Sequence, residues 1–378
     1  MPREPVTDRL RAAVSAMLET DHAQIIEAVR TPLDYDPYQA GRSITRIAGS
    51  ATTGGGRRAW SMIEKVTGNP DSAPPFIREG GRRELLAYRS GLLDRLPAGF
   101  AAPRVFGLHE DPDGRVVLFL EEVVDERAGS WERRDWIRAA THLGRFSARW
   151  LAEPVASAPW MLQRWSERHG QPAAMAAASS AMTEQAALPQ VISRFGPGLA
   201  DTAVSLLAMQ AELRAALDRA PHTLCHHDAV RANLFARTGE GTLETVAIDW
   251  ETLGIGPVGA EIASLLFSSS RRGDLSAAEL QRMLPAVLDA YADAIAAAGF
   301  ADVAAGAETS FWQSVALRWS LLRDVLASLA SPAGQITRGR ALHEPPETAL
   351  DELAALTHFL LVAHGRAKET LGNPAPAA

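Results

Sequence analysis

Asp228, Asn233 and Asp249 flank two short apolar runs, Leu234–Phe235 and Val246–Ile248, with a Gly- and Thr-rich stretch between them. Apolar runs around such a turn predict a small hairpin. A hairpin of that length places the residues before its first strand and after its second at one mouth. Two carboxylates and an amide oxygen form a hard, oxygen-only donor set, which suits Mg2+ better than zinc. His222, His226 and His227 beside Asp228 raise a competing reading, a zinc or iron hydrolase. Adjacent histidines point in different directions, and no H-E-x-x-H spacing occurs, which weighs against it. Cys225, the single cysteine, follows apolar Leu224 and reads as a buried strand residue rather than a nucleophile.

The segment His226-His227-Asp228-Ala229-Val230-Arg231-Ala232-Asn233 resembles the H-x-D-x-x-x-x-N catalytic loop of protein kinases and of their small-molecule relatives, the aminoglycoside phosphotransferases and choline kinases. Ile248-Asp249-Trp250-Glu251 is similar to the I-D-W-E form that these relatives carry where protein kinases have D-F-G. Both segments, in this order and a hairpin apart, carry the resemblance.

The resemblance implies an α+β, two-lobed protein-kinase-like fold. Residues 1–122 would form an N-terminal antiparallel-sheet lobe that binds nucleotide, with a leading helix. Residues 123–378 would form a larger helical C-terminal lobe with the catalytic loop, the metal site and the acceptor site. It further implies ATP or GTP with Mg2+, and phosphoryl transfer to a hydroxyl of a small molecule. The acceptor would be aminoglycoside-like or another sugar-containing antibiotic or metabolite. A choline-type amino alcohol is the alternative acceptor, and a nucleotide-binding pseudokinase is the alternative of a different class. In this picture Asp228 is the catalytic base, Asn233 and Asp249 hold metal, and Lys65 contacts phosphates with Glu84 as its partner. Gly54 and Gly55 lie in the turn over the phosphates, and the backbone from Glu121 to Val123 receives the adenine edge. His226 supports the loop, Glu251 supports metal-bound water, and Glu261 stands where the family has an aspartate that braces the loop. Three positions depart from the pattern. His227 replaces the usual Gly, Ala229 replaces a common Leu, and Val230 stands where protein kinases have Lys, which argues against a protein substrate.

The elements that must position these residues are legible as periodicities. Leu10, Val14, Met17, Leu18, Ile25, Ile26 and Val29 predict one helix over 5–31, closed by Thr31-Pro32. Residues 43–51 and 58–66 read as strands around Gly54, Gly55 and Gly56, the second carrying Lys65. Helices are expected over 82–96, 131–151, 201–219, 276–298, 309–330 and 347–364, and a strand over 116–124 after the turn at Asp111-Pro112-Asp113-Gly114. The stretch 331–346 reads as a long loop and the last few residues as a frayed tail. The helix face of Trp312 and Trp319 reads as core, and any exposed members of it, with Asp324 or Arg271, are candidates to contact a sugar or cationic acceptor.

Lys65 has compositional weight. The chain holds 38 basic residues, of which only Lys65 and Lys368 are lysine. A sequence that writes nearly every cation as arginine yet keeps Lys65 in an apolar run points to a need for a compact ammonium. The net charge of −7 argues against a nucleic-acid partner. One cysteine excludes an internal disulfide and fits a reducing cytoplasm. Residues 1–30 lack the apolar core of a signal peptide, and no apolar run reaches membrane-spanning length. The expectation is a cytoplasmic monomer or homodimer that binds neither nucleic acid nor membrane.

Overall fold

The computed structural model describes residues 6–33, 42–68, 79–129, 131–163, 165–166, 172–239, 241–330 and 344–372. The chain forms two compact units, the first made of Met1–Gly129, Ala158–Leu162 and Phe235–Leu253, the second of Ser130–Ser157, Gln163–Leu234 and Gly254–Ala378. An antiparallel sheet dominates one and helices the other, the α+β division that the resemblance implies.

Five strands of the first unit pair antiparallel in the order β1 (Gln24–Pro32), β2 (Arg42–Thr53), β3 (Gly56–Thr67), β6 (Val116–Glu121), β5 (Val105–Glu110). One face of this sheet is closed by the helix Val6–Met17, whose Leu10 and Val14 pack with Ile47, Trp60, Met62 and Phe119. β4 (Phe100–Ala101) and the hairpin β8 (Leu234–Gly239) and β9 (Thr242–Ala247) form a second small sheet. The hairpin is the one expected between Asn233 and Asp249.

The single helix predicted over 5–31 is incorrect. The helix ends at Met17, Glu19 takes a left-handed φ of 52°, and residues 24–32 are an edge strand. Ser15 Oγ accepts the Ala23 N–H at 2.9 Å and fixes the reversal. The β-branched run Ile25, Ile26, Val29 then finds a partner in β2. Ile26 and Val29 are 52% and 56% exposed, so they never belonged to the apolar face that their spacing suggested.

In the second unit the helices Arg133–Ala152 and Ala277–Ala297 pack closely. A Cβ on Gly144 would lie 2.5 Å from the carbonyl oxygen of Tyr291, and Ser147 Oγ meets the Tyr291 hydroxyl at 2.8 Å. β7 (His222–Cys225) pairs with β10 (Gly254–Pro257) and delivers the chain to Asp228. Several expected helices are shorter or divided. The helix begun at Gly80 stops at Arg89, before Gly91 with φ 71°. The 201–219 pattern is two helices, Leu199–Ala208 and Gln210–Arg219, and 309–330 is Ala307–Ala316 followed by Ser320–Ala330. The strand expected to reach 124 ends at Glu121. Of the expected loop 331–346, residues 331–343 lie outside the described residues, as do 373–378 of the expected tail. No helix among the described residues is long and apolar enough to cross a membrane.

His142, on the helix Arg133–Ala152, is 6% exposed, and its imidazole is pushed down to about 4, first by burial and then by Arg145 and Arg138. The folded state therefore resists protonation. This stability is complete above the ordinary histidine value of 6.5 and is lost as pH falls toward 4. The shift corresponds to about 3 kcal/mol. Denaturant unfolding of His142→Gln across that window is expected to show a flatter acid limb than the wild type. An unaltered limb would contradict the assignment.

Candidate functional site

Lys65 sits on the central strand β3, between Ile44 of β2 and Leu118 of β6, and is 6% exposed. Its Nζ lies 2.7 Å from Glu84 Oε2, 2.7 Å from Asp249 Oδ1 and 3.1 Å from Glu251 Oε1. Glu84 comes from the helix Gly80–Arg89 and is fully buried; its Oε1 also accepts the Trp250 N–H at 3.3 Å. The helix can approach because Gly81 has no side chain: a Cβ there would lie 1.8 Å from Thr67 Oγ1. A Cβ on Gly80 would lie 2.6 Å from Glu251 Oε2. Asp249 has φ 63° and ψ 63° and starts the short 3-10 turn Trp250–Thr252. That conformation costs a non-glycine residue roughly 1–2 kcal/mol, and the pairing of its carboxylate with Lys65 offsets part of it.

Two arginines that the sequence reading missed complete the cluster. Arg42 donates to the Glu251 carboxylate, and Arg83 donates to the Glu251 carbonyl oxygen. Both Arg42 and Arg83 are nearly buried at the side chain. Burial pushes the Glu84 carboxyl up to about 7; Lys65 opposes this, while Asp249 and Glu251 add to it.

In the second unit the loop after β7 is fixed by its own backbone. The Asp228 N–H donates to Nδ1 of His226 at 3.2 Å, and His226 is wholly buried. His227 has φ 63°. That region favours glycine, so a histidine there needs to be held. Three contacts hold His227 in place. Its N–H donates to Glu261 Oε1 at 2.8 Å, its ring stacks on Trp165 at 5.3 Å between centroids, and its carbonyl accepts from Ser264 Oγ at 3.4 Å. Gly256 leaves room for the ring, since a Cβ there would lie 2.3 Å from Cε1. Glu261 is 1% exposed, and burial pushes its carboxyl up to about 7 against the hydrogen bonds from His227 and Cys225.

Asn233 ends the 3-10 turn Arg231–Asn233, and its Nδ2 donates to the Asp228 carbonyl at 2.9 Å and to Asp228 Oδ2 at 3.1 Å. With the nitrogen committed, the amide oxygen is the atom left to serve a hard cation. Asp249, in the first unit, offers a carboxylate oxygen, and each of the two is by itself a hard oxygen donor of the type that suits Mg2+. Arg231 is not a surface residue. Its N–H donates to Ser269 Oγ at 2.8 Å, Nη1 donates to the Leu234 carbonyl at 3.1 Å, and the guanidinium lies 4.5 Å over Trp131.

The remaining sequence candidates are placed differently. Gly54 and Gly55 occupy the β2–β3 turn, where a Cβ on Gly54 would meet nothing within 4 Å. Glu121 ends β6, three residues along from the partner of Lys65. Its carboxylate accepts from Arg237 at 3.1 Å and from the Arg104 N–H at 3.0 Å. Val123 follows, half-buried. Trp312 and Trp319 are 9% and 2% exposed, so they are core residues rather than acceptor contacts. Arg271 and Asp324 pair at 2.6 Å and remain about a third exposed. His222 Nδ1 bonds the Ala220 carbonyl oxygen at 2.6 Å and His226 Nδ1 accepts from the Asp228 N–H, while Cys225, His227 and Glu261 place their ligand atoms within 4.8 Å of one another in the buried interior. Burial raises the Cys225 thiol well above its ordinary value, which removes it as a nucleophile.

The cluster around Lys65 sets its stability. Lys65→Met would leave Glu84 buried without its cation, a loss of about 3–5 kcal/mol. Adding Glu84→Gln is expected to restore part of it, whereas Lys368→Ala, at an exposed position, is expected to change nothing. Urea unfolding of the four proteins checks this. Equal stability of Lys65→Met and the wild type would contradict the ion-pair account.

A model of a phosphotransferase enzyme family matches residues 83–305, more than half of the chain. No curated protein sequence matches it. Among solved structures, a microcompartment-associated aminopropanol kinase aligns over 95% of this chain and 98% of its own, with a TM-score of 0.50 and 16% identity. An amicoumacin kinase bound to AMP-PNP and Ca2+ aligns over 89% of this chain and 88% of its own, with a TM-score of 0.47 and 15% identity. A GDP complex of an aminoglycoside 2'-phosphotransferase variant aligns over 97% and 100%, with a TM-score of 0.48 and 11% identity. The first of these carries the fold; the other two carry no argument of their own.

Proposed function

The chain belongs to the phosphotransferase enzyme family, and from that premise we propose that it transfers the γ-phosphoryl group of ATP or GTP to a hydroxyl of a small molecule. The acceptor we assign is aminoglycoside-like or another sugar-containing antibiotic or metabolite. Nucleotide binding falls to residues 1–122, and the catalytic loop, metal site and acceptor recognition to residues 123–378.

The observation that carries the reading is the placement of Lys65. A lysine buried on a central strand, bonded at 2.7 Å to both Glu84 and Asp249, is an ammonium held for phosphate oxygens rather than for solvent. Asp228 takes the proton of the acceptor hydroxyl as its oxygen forms the new bond to phosphorus and the nucleoside diphosphate leaves. Asn233, by donating to Asp228 Oδ2, holds that carboxylate in one orientation. His226 and Glu261 keep the loop backbone in the conformation that presents Asp228. Asn233 and Asp249 would hold Mg2+, which would supply positive charge to offset the charge that develops on the departing diphosphate. Glu251, held by Lys65 and Arg42, would support the surroundings of that metal. Gly54 and Gly55 offer backbone N–H groups to the phosphates, and the backbone from Glu121 to Val123 receives the base.

Asp228→Asn is expected to lower kcat by at least about a hundredfold, with Mg-ATP binding retained by calorimetry. Asp249→Ala is expected to lose Mg-dependent nucleotide binding altogether. Unaltered turnover in Asp228→Asn, or Mg-independent binding in the wild type, would sink the assignment.

A further inference from the structure

Arg42 has entered so far only as a partner of Glu251, yet it is buried beside the ammonium on which nucleotide binding depends. Arg42 and Ile44 of β2 pair with Thr67 and Lys65 of β3, so Arg42 and Lys65 stand on the same face of the sheet, one pleat apart. The Arg42 side chain is 4% exposed, and its guanidinium donates to Glu251 Oε2. Gly80 leaves the space that this pair fills. A Cβ there would lie 2.6 Å from Glu251 Oε2 and 3.1 Å from Arg42 Nη2.

The other oxygen of the same carboxylate, Glu251 Oε1, is the one 3.1 Å from Lys65 Nζ. It is the longest of the three contacts around the ammonium, and it lacks hydrogen-bond alignment. An ammonium has three donors, and three carboxylates surround this one. Phosphate oxygens therefore reach Lys65 only where a carboxylate yields. Asp249 holds it in an aligned hydrogen bond at 2.7 Å. A buried carboxylate left without a cation is strongly unfavourable, which separates the other two. Among the described residues Glu84 pairs with Lys65 alone, and its side chain is 1% exposed. Glu251 has a second cation in Arg42. Of the two, Glu251 is the one that can release Lys65 and stay paired.

We propose that Arg42 is a positioning residue for nucleotide binding: by holding Glu251, it frees Lys65 to pass from that carboxylate to phosphate oxygens. Arg42 touches no reacting atom in this account. Without its guanidinium the Glu251 carboxylate has only Lys65 to balance it, and phosphates must compete for the ammonium. The proposal rests on the phosphotransferase reading, which supplies the phosphates, and adds a determinant of nucleotide affinity to it.

The test is calorimetric titration of the full chain with Mg-ATP and, separately, with adenosine into the millimolar range. Arg42→Met is expected to weaken Mg-ATP roughly tenfold or more and to leave adenosine unaffected, since only the phosphates depend on Lys65. In a Glu251→Gln background the same substitution is expected to change Mg-ATP affinity less than about twofold. Arg42→Lys keeps the charge and is expected to recover most of the loss. Arg42→Gln keeps a donor to Glu251 without the charge, and it supplies the same comparison if Arg42→Met does not fold. Unaltered Mg-ATP affinity in these neutral variants overturns the proposal, as does an equal loss in both Glu251 backgrounds. A parallel loss of adenosine overturns it too, because a general loosening of the unit would weaken both ligands. Wild-type protein that binds neither Mg-ATP nor Mg-GTP retires the kinase reading itself, whereas wild-type binding without an Arg42 effect retires this proposal alone.

Discussion

The first unit takes its arrangement from one buried ammonium shared among three carboxylates. Removing such charges from water costs several kcal/mol per ion unless geometry and further hydrogen bonds compensate. Each element that supplies an acid to Lys65 is therefore held in register. Gly81 lets its helix approach Thr67 closely enough for Glu84 to reach 2.7 Å, and Asp249 accepts a left-handed backbone to point at the same nitrogen. Arg42 and Arg83 then hold Glu251 from its carboxylate and its carbonyl. The apolar work of the unit lies apart, where Leu10 and Val14 pack with Phe119 and Met62.

The second unit solves a backbone problem. Asp228 is presented by a loop whose preceding residue has positive φ, and the chain has placed a histidine there. The strain is held by a carboxylate on the His227 N–H, by an indole against its ring, and by the bare Cα of Gly256. Glu261 is long enough to bring its Oε1 to that N–H at 2.8 Å.

Local spacing made part of this legible in the sequence. The loop residues, the hairpin after them and the I-D-W-E segment all lie within a short span, where type and order fix what each can reach. The acid-rich cluster was only partly legible, because Arg42 and Glu251 are 209 residues apart and no local pattern joins them. The Gly80-Gly81 pair was the available signal for a close approach, and it went unused. Periodicity misled at both ends of the chain. It ran the first helix through a turn fixed by Ser15, and it joined 309–330 across a break where the apolar spacing continues and Leu317 itself keeps near-helical torsions, φ −64° and ψ −20°. The helical spacing of Trp312 and Trp319 points to a core face, and both are buried.

Phosphoryl transfer itself is the central claim, and mass spectrometry of acceptors tests it most directly. Purified protein with Mg-ATP would be offered aminoglycosides, nucleoside antibiotics, neutral sugars and amino alcohols, with the Asp228→Asn protein run in parallel. The account predicts one acceptor class gaining a single phosphoryl group, sugar-containing, and no product with the variant. Product of equal yield from both proteins, or ATP consumed with water as the only acceptor across the whole panel, would contradict it.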